Sequence, residues 1–286
     1  MLIVTGASGK LGRKIVENLL RHVSAREIGV SVRDPNKVLD MAASGVRVRQ
    51  GDFSDAASLR HAWAGAKRLL LISSNAAATG GNPLAQHATA ISVAREIGVE
   101  RIFYTSQVSS SATSYFPPGR DHAATEAMLA ESGIAWTAMR HGFYAASALM
   151  MNKRGFHTGK LEGPEDGKVA WTTHDDLAAA DAALLVGDAA IDGPTAPLTG
   201  SECLDLADLA RVAGELLGEP ISRTVVSEED VKANAQAAGI PDGAVAVMLG
   251  YYRAAHAGEF AATDPALAKI LGCAPENMRT FLKRNL

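Results

Sequence analysis

Gly6, Gly9 and Gly12 punctuate the stretch MLIVTGASGKLGRKIVENLL, where a short apolar run turns into an amphipathic one. At a turn of this kind, residues without side chains let the backbone approach a pyrophosphate. They also let the following helix pack closely on the preceding strand. The helix N-terminus then aims free N–H groups and the positive end of its dipole at phosphate oxygens. Ser8, Lys10 and Leu11 lie between the glycines and belong to the same candidate cradle. A glycine triplet is common by itself. Its place after a first strand, opening the first helix of a repeated βα pattern, points to a bound dinucleotide.

The end of the second apolar run bears on which dinucleotide. An acidic side chain there binds a ribose 2′-hydroxyl, whereas arginine accommodates a 2′-phosphate. The sequence reads SVRDPNK, with Arg33 and Asp34 side by side. Asp34 precedes Pro35, a pairing explained as helix N-cap followed by the first helical residue. Arg33 has no such structural task, and its guanidinium suits bidentate contact with phosphate. The expected cofactor is therefore NADP(H) in preference to NAD(H), with Lys37 as a helper. In GDFSD (51–55), Asp52 either accepts from an adenine amino group, with Phe53 flanking the ring, or shapes a turn before a cap at Asp55. Ser73, Ser74 and Asn75, and then Thr105, Ser106 and Gln107, offer small polar groups to the ribose and nicotinamide region.

Strands must carry these residues to one edge. Apolar, β-branched runs at 2–5, 28–32, 46–50, 68–73, 101–106 and 135–139 alternate with helical patterns near 11–21, 35–43, 55–64, 83–97 and 120–132. Continuous apolar strands between helices imply a parallel sheet covered on both faces, hence an α/β, doubly wound Rossmann-type domain. Residues 1–150 read as that NADP-binding domain and 151–286 as a smaller, mainly helical substrate lobe. Strands near 168–172 and 195–199 are candidates to return to the large sheet.

At this point the chain resembles a known family. TGASGKLG, Arg33, GDFSD, DHAATEAMLAESGIAWTAMRHGFY (121–144) and PDGAVAVMLG (241–250) resemble the NmrA-like group of atypical short-chain dehydrogenase/reductases. Within it the likeness is to the branch of NADPH-dependent quinone and triphenylmethane reductases. The resemblance runs along essentially the whole chain. It implies a Rossmann domain binding NADP(H), a small C-terminal lobe over the substrate, and either reductase activity or a redox-sensing role, since the family contains both.

Ordinary short-chain dehydrogenases exchange a proton through Tyr-x-x-x-Lys. No lysine here has a tyrosine four residues before it, and in that place His122 and Glu126 stand at i and i+4 on a helix. Ketone reduction makes a basic alkoxide that benefits from a proton donor. A quinone gives a delocalised, far less basic anion, and a triarylmethyl cation needs no proton at its central carbon. The missing pair therefore suits planar electrophiles and disfavours nucleotide-sugar epimerisation. His122 either donates a proton or hydrogen bond or is a structural histidine, and Glu126 either takes part or simply pairs. Gln107 and Ser106 are candidates to orient nicotinamide or the acceptor oxygen. Phe143 and Tyr144 either line a slot for a flat ring or pack between lobes. Tyr115, Phe116, Pro117 and Pro118 read as a loop, either a lid or a surface connection. His174, Asp175 and Asp176 read as caps of a helix, with Trp171 before them closing a cleft or packing.

The 286 residues carry a net charge of −3, and 47% are apolar. No basic cluster favours nucleic acid or an anionic membrane. The histidines and the two cysteines, Cys203 and Cys273, show no metal-ligand spacing, so no metal and a reducing compartment are expected. The glycine turn arrives too early for a secretory leader, and no apolar run reaches the roughly 20 residues of a membrane span. The expectation is a cytoplasmic NADPH-dependent oxidoreductase passing hydride to a small, planar, quinone-like acceptor. Its alternatives are a triarylmethane or azo dye reductase and a non-catalytic NADP(H) sensor. The sequence leaves the oligomeric state open.

Overall fold

Leu2–Thr5 reads LIVT and is buried at all four positions, as a strand covered on both faces must be. It opens the computed structural model, which describes residues 1–187 and 191–286. The strands are β1 (Leu2–Thr5), β2 (Ile28–Val32), β3 (Arg47–Gln50), β4 (Arg68–Leu71), β5 (Arg101–Gln107) and β6 (Ala135–His141). They continue with β7 (Phe143–Tyr144), β8 (Lys160–Gly163), β9 (Trp171–Thr172), β10 (Gly193–Pro194) and β11 (Ser222–Val225).

Seven of them form a parallel sheet in the order β10-β6-β5-β4-β1-β2-β3. Leu2 of β1 registers against Ile28 on one side and Arg68 on the other. From β1 the chain first builds outward through β2 and β3, then returns to place β4 on the opposite side. This Rossmann-type order has its reversal between β1 and β4, and ligands of such sheets sit at the strands' carboxyl ends beside that break.

Contacts divide the chain into two compact units. The first comprises Met1–Ser106, Asp121–Arg140 and Leu177–Ala196. Its core contains Ile3, Leu59, Trp63, Leu69, Leu71, Ile102, Tyr104 and Leu129. The second comprises Gln107–Arg120, His141–Asp176 and Pro197–Leu286. Its principal helices are Ala145–Thr158, Leu206–Leu217, Asp242–His256 and Met278–Asn285, with two small sheets, β8 with β11 and β7 with β9. Its core is rich in rings: Phe143 packs on Phe116, Trp171, Tyr251 and Phe260, with centroids 4.9–5.6 Å apart.

Several elements differ from the sequence reading. The stretch near 168–172 yields β9, which pairs with β7 outside the large sheet, because Trp171 is drawn into the aromatic core and its Nε1 donates to the Leu204 carbonyl at 2.9 Å. The last strand of the large sheet is Gly193–Pro194, just ahead of the expected 195–199. Thr195 follows it, its N donating to the Ala138 carbonyl at 2.8 Å. The loop expected over Tyr115–Pro118 ends earlier than the sequence reading places it. Phe116 is buried, and Pro117 and Pro118 open the helix Pro117–Glu131, a position that costs proline no hydrogen bond. Only Tyr115 of that group is exposed, at 57%.

The glycine turn closes tightly. Gly6 has φ +62°, and its N donates to the Ser31 carbonyl at 3.1 Å. A Cβ on Gly12 would stand 2.6 Å from the Gly6 carbonyl oxygen and 2.9 Å from the Ala7 Cα, both rigid backbone. Gly12→Ala is therefore expected to cost about 1–3 kcal/mol of stability and to weaken dinucleotide binding. Thermal melts and a binding titration check this, and an alanine variant matching the wild type in both contradicts the close approach.

Candidate active site

The helix Lys10–Leu19 begins at Gly9, which offers no side-chain cap, and its first turn carries no acidic residue. Its leading N–H groups are thus left for an outside acceptor. Gly6, Ser8, Gly9 and Lys10 are exposed at this turn, while Leu11 and Gly12 are buried behind it. At the end of β2 the Asp34 carboxylate accepts from Asn36 N at 3.0 Å, with Pro35 as the first helical residue. Asp34 is the cap that the sequence indicates, and Arg33 beside it is exposed, as is Lys37. After β3, Asp52 accepts from Ser54 N at 2.8 Å, and Asp55 caps the helix Ala56–Ala62. Phe53 lies half-buried, edge-on to Trp63 and His87.

β4 ends at Leu71, two residues before the sequence reading ends it, and the hydrogen bonds explain why. Ile72 N donates to Thr5 Oγ1 at 2.9 Å, Ser73 N to Thr105 Oγ1 at 2.8 Å, and Ser74 N to His87 Nε2 at 2.9 Å. Three side chains replace the ladder, so the chain leaves the sheet with those N–H groups satisfied. Thr105 is consequently buried and engaged within the fold. Ser74 Oγ donates to Gln86 Oε1 at 2.5 Å, and Gln86 Nε2 donates to Ser54 Oγ at 3.1 Å, tying the loops after β3 and β4 together. Asn75 is exposed beyond them.

His87 anchors this edge, and sequence reasoning missed it. Its Nδ1 lies 2.8 Å from Thr125 Oγ1, whose own proton goes to the Asp121 carbonyl at 2.8 Å. Nδ1 therefore carries the imidazole proton, and Nε2 accepts from Ser74. Burial brings the ring's pKa down from 6.5 to about 4.

The D-H-x-x-T-E segment resolves into three separate tasks. Thr125 holds His87. Glu126, 7% exposed, accepts from Ser106 Oγ at 2.5 Å and from Arg140 Nη2 at 2.7 Å and Nε at 3.2 Å. Glu126 is thus a pairing carboxylate, and Ser106 is turned toward it. Removing either charged partner would strand the other in a poorly solvated place. His122 Nδ1 lies 2.8 Å from the Tyr104 hydroxyl, which also reaches Ser73 Oγ at 3.4 Å. Tyr104 was likewise missed, because within RIFYTS it reads only as strand core.

In the second unit, Gln107 Oε1 accepts from Ser109 Oγ. Phe143 is half-buried against the aromatic core, whereas Tyr144 lies against His174 with ring centroids 4.4 Å apart. Thr173 and Asp176 cap each other at the start of the helix His174–Val186, through contacts of 2.8 and 3.1 Å. The acidic residues there serve the helix, as the sequence indicates. Among the described residues, no cluster of three metal-ligating side chains occurs, and no helix is long and apolar enough to cross a membrane.

A family model described as NAD(P)H-binding matches residues 6–185, from the glycine turn into the helix His174–Val186. The chain belongs to the NAD(P)H-binding, NmrA-like family. It is 35% identical over 273 residues to quinone oxidoreductase 2 of Escherichia coli, covering 95% of this chain and 94% of that one. The crystal structure of the Escherichia coli NADPH-dependent quinone oxidoreductase complexed with NADPH matches at a TM-score of 0.92 and 33% identity, over 99% of both chains. Citrobacter sp. triphenylmethane reductase complexed with NADP(H) matches at 0.90 and 29% identity, over 100% of both.

The residues present fit the dinucleotide of this NAD(P)H-binding family. The first helix lacks both a cap and a first-turn carboxylate, and no side chain at Gly12 blocks the turn. The loops after β3 and β4 are held by hydroxyls and by neutral His87.

That neutrality has a pH consequence. An unfolded chain protonates His87 on acidification past 6.5, whereas the folded one resists until about 4. The contribution is fully present above 6.5 and falls by about 3 kcal/mol as pH drops to 4. His87→Gln should be less stable at pH 7.5 and lose less on moving to pH 5 than the wild type does. Denaturant unfolding at both pH values checks this, and equal losses contradict the neutral assignment.

Proposed function

We propose that this chain is an NADPH-dependent oxidoreductase that passes hydride to a quinone or similar planar electrophile. The observation that carries the reading lies after β2, where the Asp34 carboxylate is spent on Asn36 N while Arg33 stands exposed beside it. A carboxylate that caps a helix is poorly placed to repel a 2′-phosphate, and an exposed guanidinium is well suited to hold one. The two relatives solved with this dinucleotide, a quinone oxidoreductase and a triphenylmethane reductase, carry names of planar acceptors and support the acceptor class.

Bound NADPH supplies the hydride. The N–H groups that open the helix Lys10–Leu19 hold the pyrophosphate, with Ser8 and Lys10 at the rim and Gly6, Gly9, Leu11 and Gly12 shaping the turn. Arg33 takes the 2′-phosphate, and Asp52 with Phe53 borders the adenine. Ser73, Ser74 and Asn75 present side chains and carbonyls toward the ribose and nicotinamide, since their neighbouring N–H groups are already engaged. Thr105 and Ser106 act by fixing the strand end. His122 provides the proton that a reduced quinone requires. Tyr144 and Gln107 are the candidates for an aromatic face and an amide toward the acceptor, with Phe143 as backing. Orientation of acceptor against dinucleotide supplies most of the acceleration.

The test is oxidation of NADPH and of NADH by purified protein with small quinones and one triarylmethane dye. Quinone-dependent turnover that prefers NADPH is expected. Tight NADPH binding without turnover on any acceptor would replace the enzyme with a redox sensor. Arg33→Asp should weaken NADPH by about tenfold or more, the loss of a charged contact, and leave NADH nearly unchanged. Equal weakening of both would remove Arg33 from the 2′-phosphate.

A further inference from the structure

Tyr104 is fully buried on β5, yet its hydroxyl meets the polar side chains of His122, Ser73 and Thr125 at the carboxyl edge of the sheet. The ring is fixed from two sides. His87 lies edge-on with centroids 5.5 Å apart, and His122 lies tilted at 5.7 Å. The hydroxyl is thereby held 2.8 Å from His122 Nδ1 and 3.4 Å from Ser73 Oγ. One proton faces more than one acceptor, and two arrangements involve His122. Tyr104 donates to an unprotonated Nδ1, or it accepts from a protonated Nδ1 and turns its own proton to Ser73. His87 does not compete, because its nitrogens are committed to Thr125 and Ser74.

We infer that Tyr104 is a positioning residue that holds His122 in either protonation state, so that the proton completing the reduced acceptor comes from His122 Nε2. The inference rests on the reductase reading above. The acceptor takes a hydride, hence two electrons, from the dinucleotide, which is oxidised. The resulting oxyanion then takes a proton from the imidazolium. The Nε2–H bond breaks, an O–H bond forms, and neutral imidazole remains with Nδ1–H donating to Tyr104. Water restores the proton. Burial, with the Glu126 and Asp121 carboxylates adding to it, holds the Tyr104 phenol well above its ordinary pKa. The tyrosine therefore keeps its proton throughout and serves as a rotor beside the histidine, distinct from the ionising tyrosine of Tyr-x-x-x-Lys enzymes.

Three variants test this: Tyr104→Phe, His122→Ala and the double substitution. Each is followed by NADPH titration, turnover with 1,4-benzoquinone, and ¹⁵N spectra of the imidazoles. In Tyr104→Phe, NADPH affinity should stay within about twofold and kcat should fall about tenfold, part of what a placed general acid contributes. The His122 ring nitrogens should shift, reporting a changed tautomer balance. Adding Tyr104→Phe to His122→Ala should cost nothing further. An unaltered kcat, unmoved His122 resonances, or a full additional loss in the double variant overturns the inference. Wild-type protein that reduces no quinone overturns the reductase reading instead, and the His122 spectrum then decides the positioning alone. A Tyr104→Phe variant that loses NADPH binding in parallel with kcat marks a purely structural tyrosine and also overturns it.

Discussion

The site depends on one close approach. The first helix passes so near the turn before it that a methyl group on Gly12 would meet the Gly6 carbonyl at 2.6 Å. That contact fixes where the helix starts, and it starts without a side-chain cap. A helix N-terminus with open N–H groups in a buried setting would be a cost. At the carboxyl edge of a parallel sheet, beside the β1/β4 reversal, open N–H groups of this kind suit an anion.

The neighbouring loops are organised on a different principle. After β4 the chain must leave the ladder, and its N–H groups are taken by Thr5, Thr105 and His87 in succession. These partners are rigid because each is itself bonded or packed: Thr5 Oγ1 donates to the Leu70 carbonyl at 3.0 Å, and His87 is held by Thr125. The backbone N–H groups of Ile72, Ser73 and Ser74 are thereby all satisfied from within the fold. A charged imidazole at position 87 could not accept from Ser74 N, which is why burial and neutrality of that ring belong to the site's geometry.

What could be read in the chain was local. The glycine spacing, the alternation of strand and helix, and the Asp34-Pro35 and Asp55 caps each depend on a few adjacent residues, and each stands as read. Partnerships across the fold were illegible. His87 meets Ser74 and Thr125 over separations of 13 and 38 residues, and Tyr104 meets Ser73 over 31. Periodicity marks such residues as core and says nothing of their polar atoms. The segment D-H-x-x-T-E reads as one motif, but its side chains turn to three partners, and Glu126 finds Arg140 of the next strand. Pro117 and Pro118 read as loop from the sequence, whereas proline opens helices readily and both begin the helix Pro117–Glu131. The short pairing of β7 with β9 carried no signal beyond Trp171 and its aromatic neighbours.

The claim on which the account turns is that the bare helix N-terminus at the glycine turn receives the dinucleotide. The most direct measurement is the amide ¹H–¹⁵N spectrum of the chain through a titration with NADPH. The N–H groups of Ala7 to Gly12 should move most, toward the positions expected on donating a hydrogen bond to phosphate, with Arg33 following. NADPH that binds while those amides stay in place would contradict it.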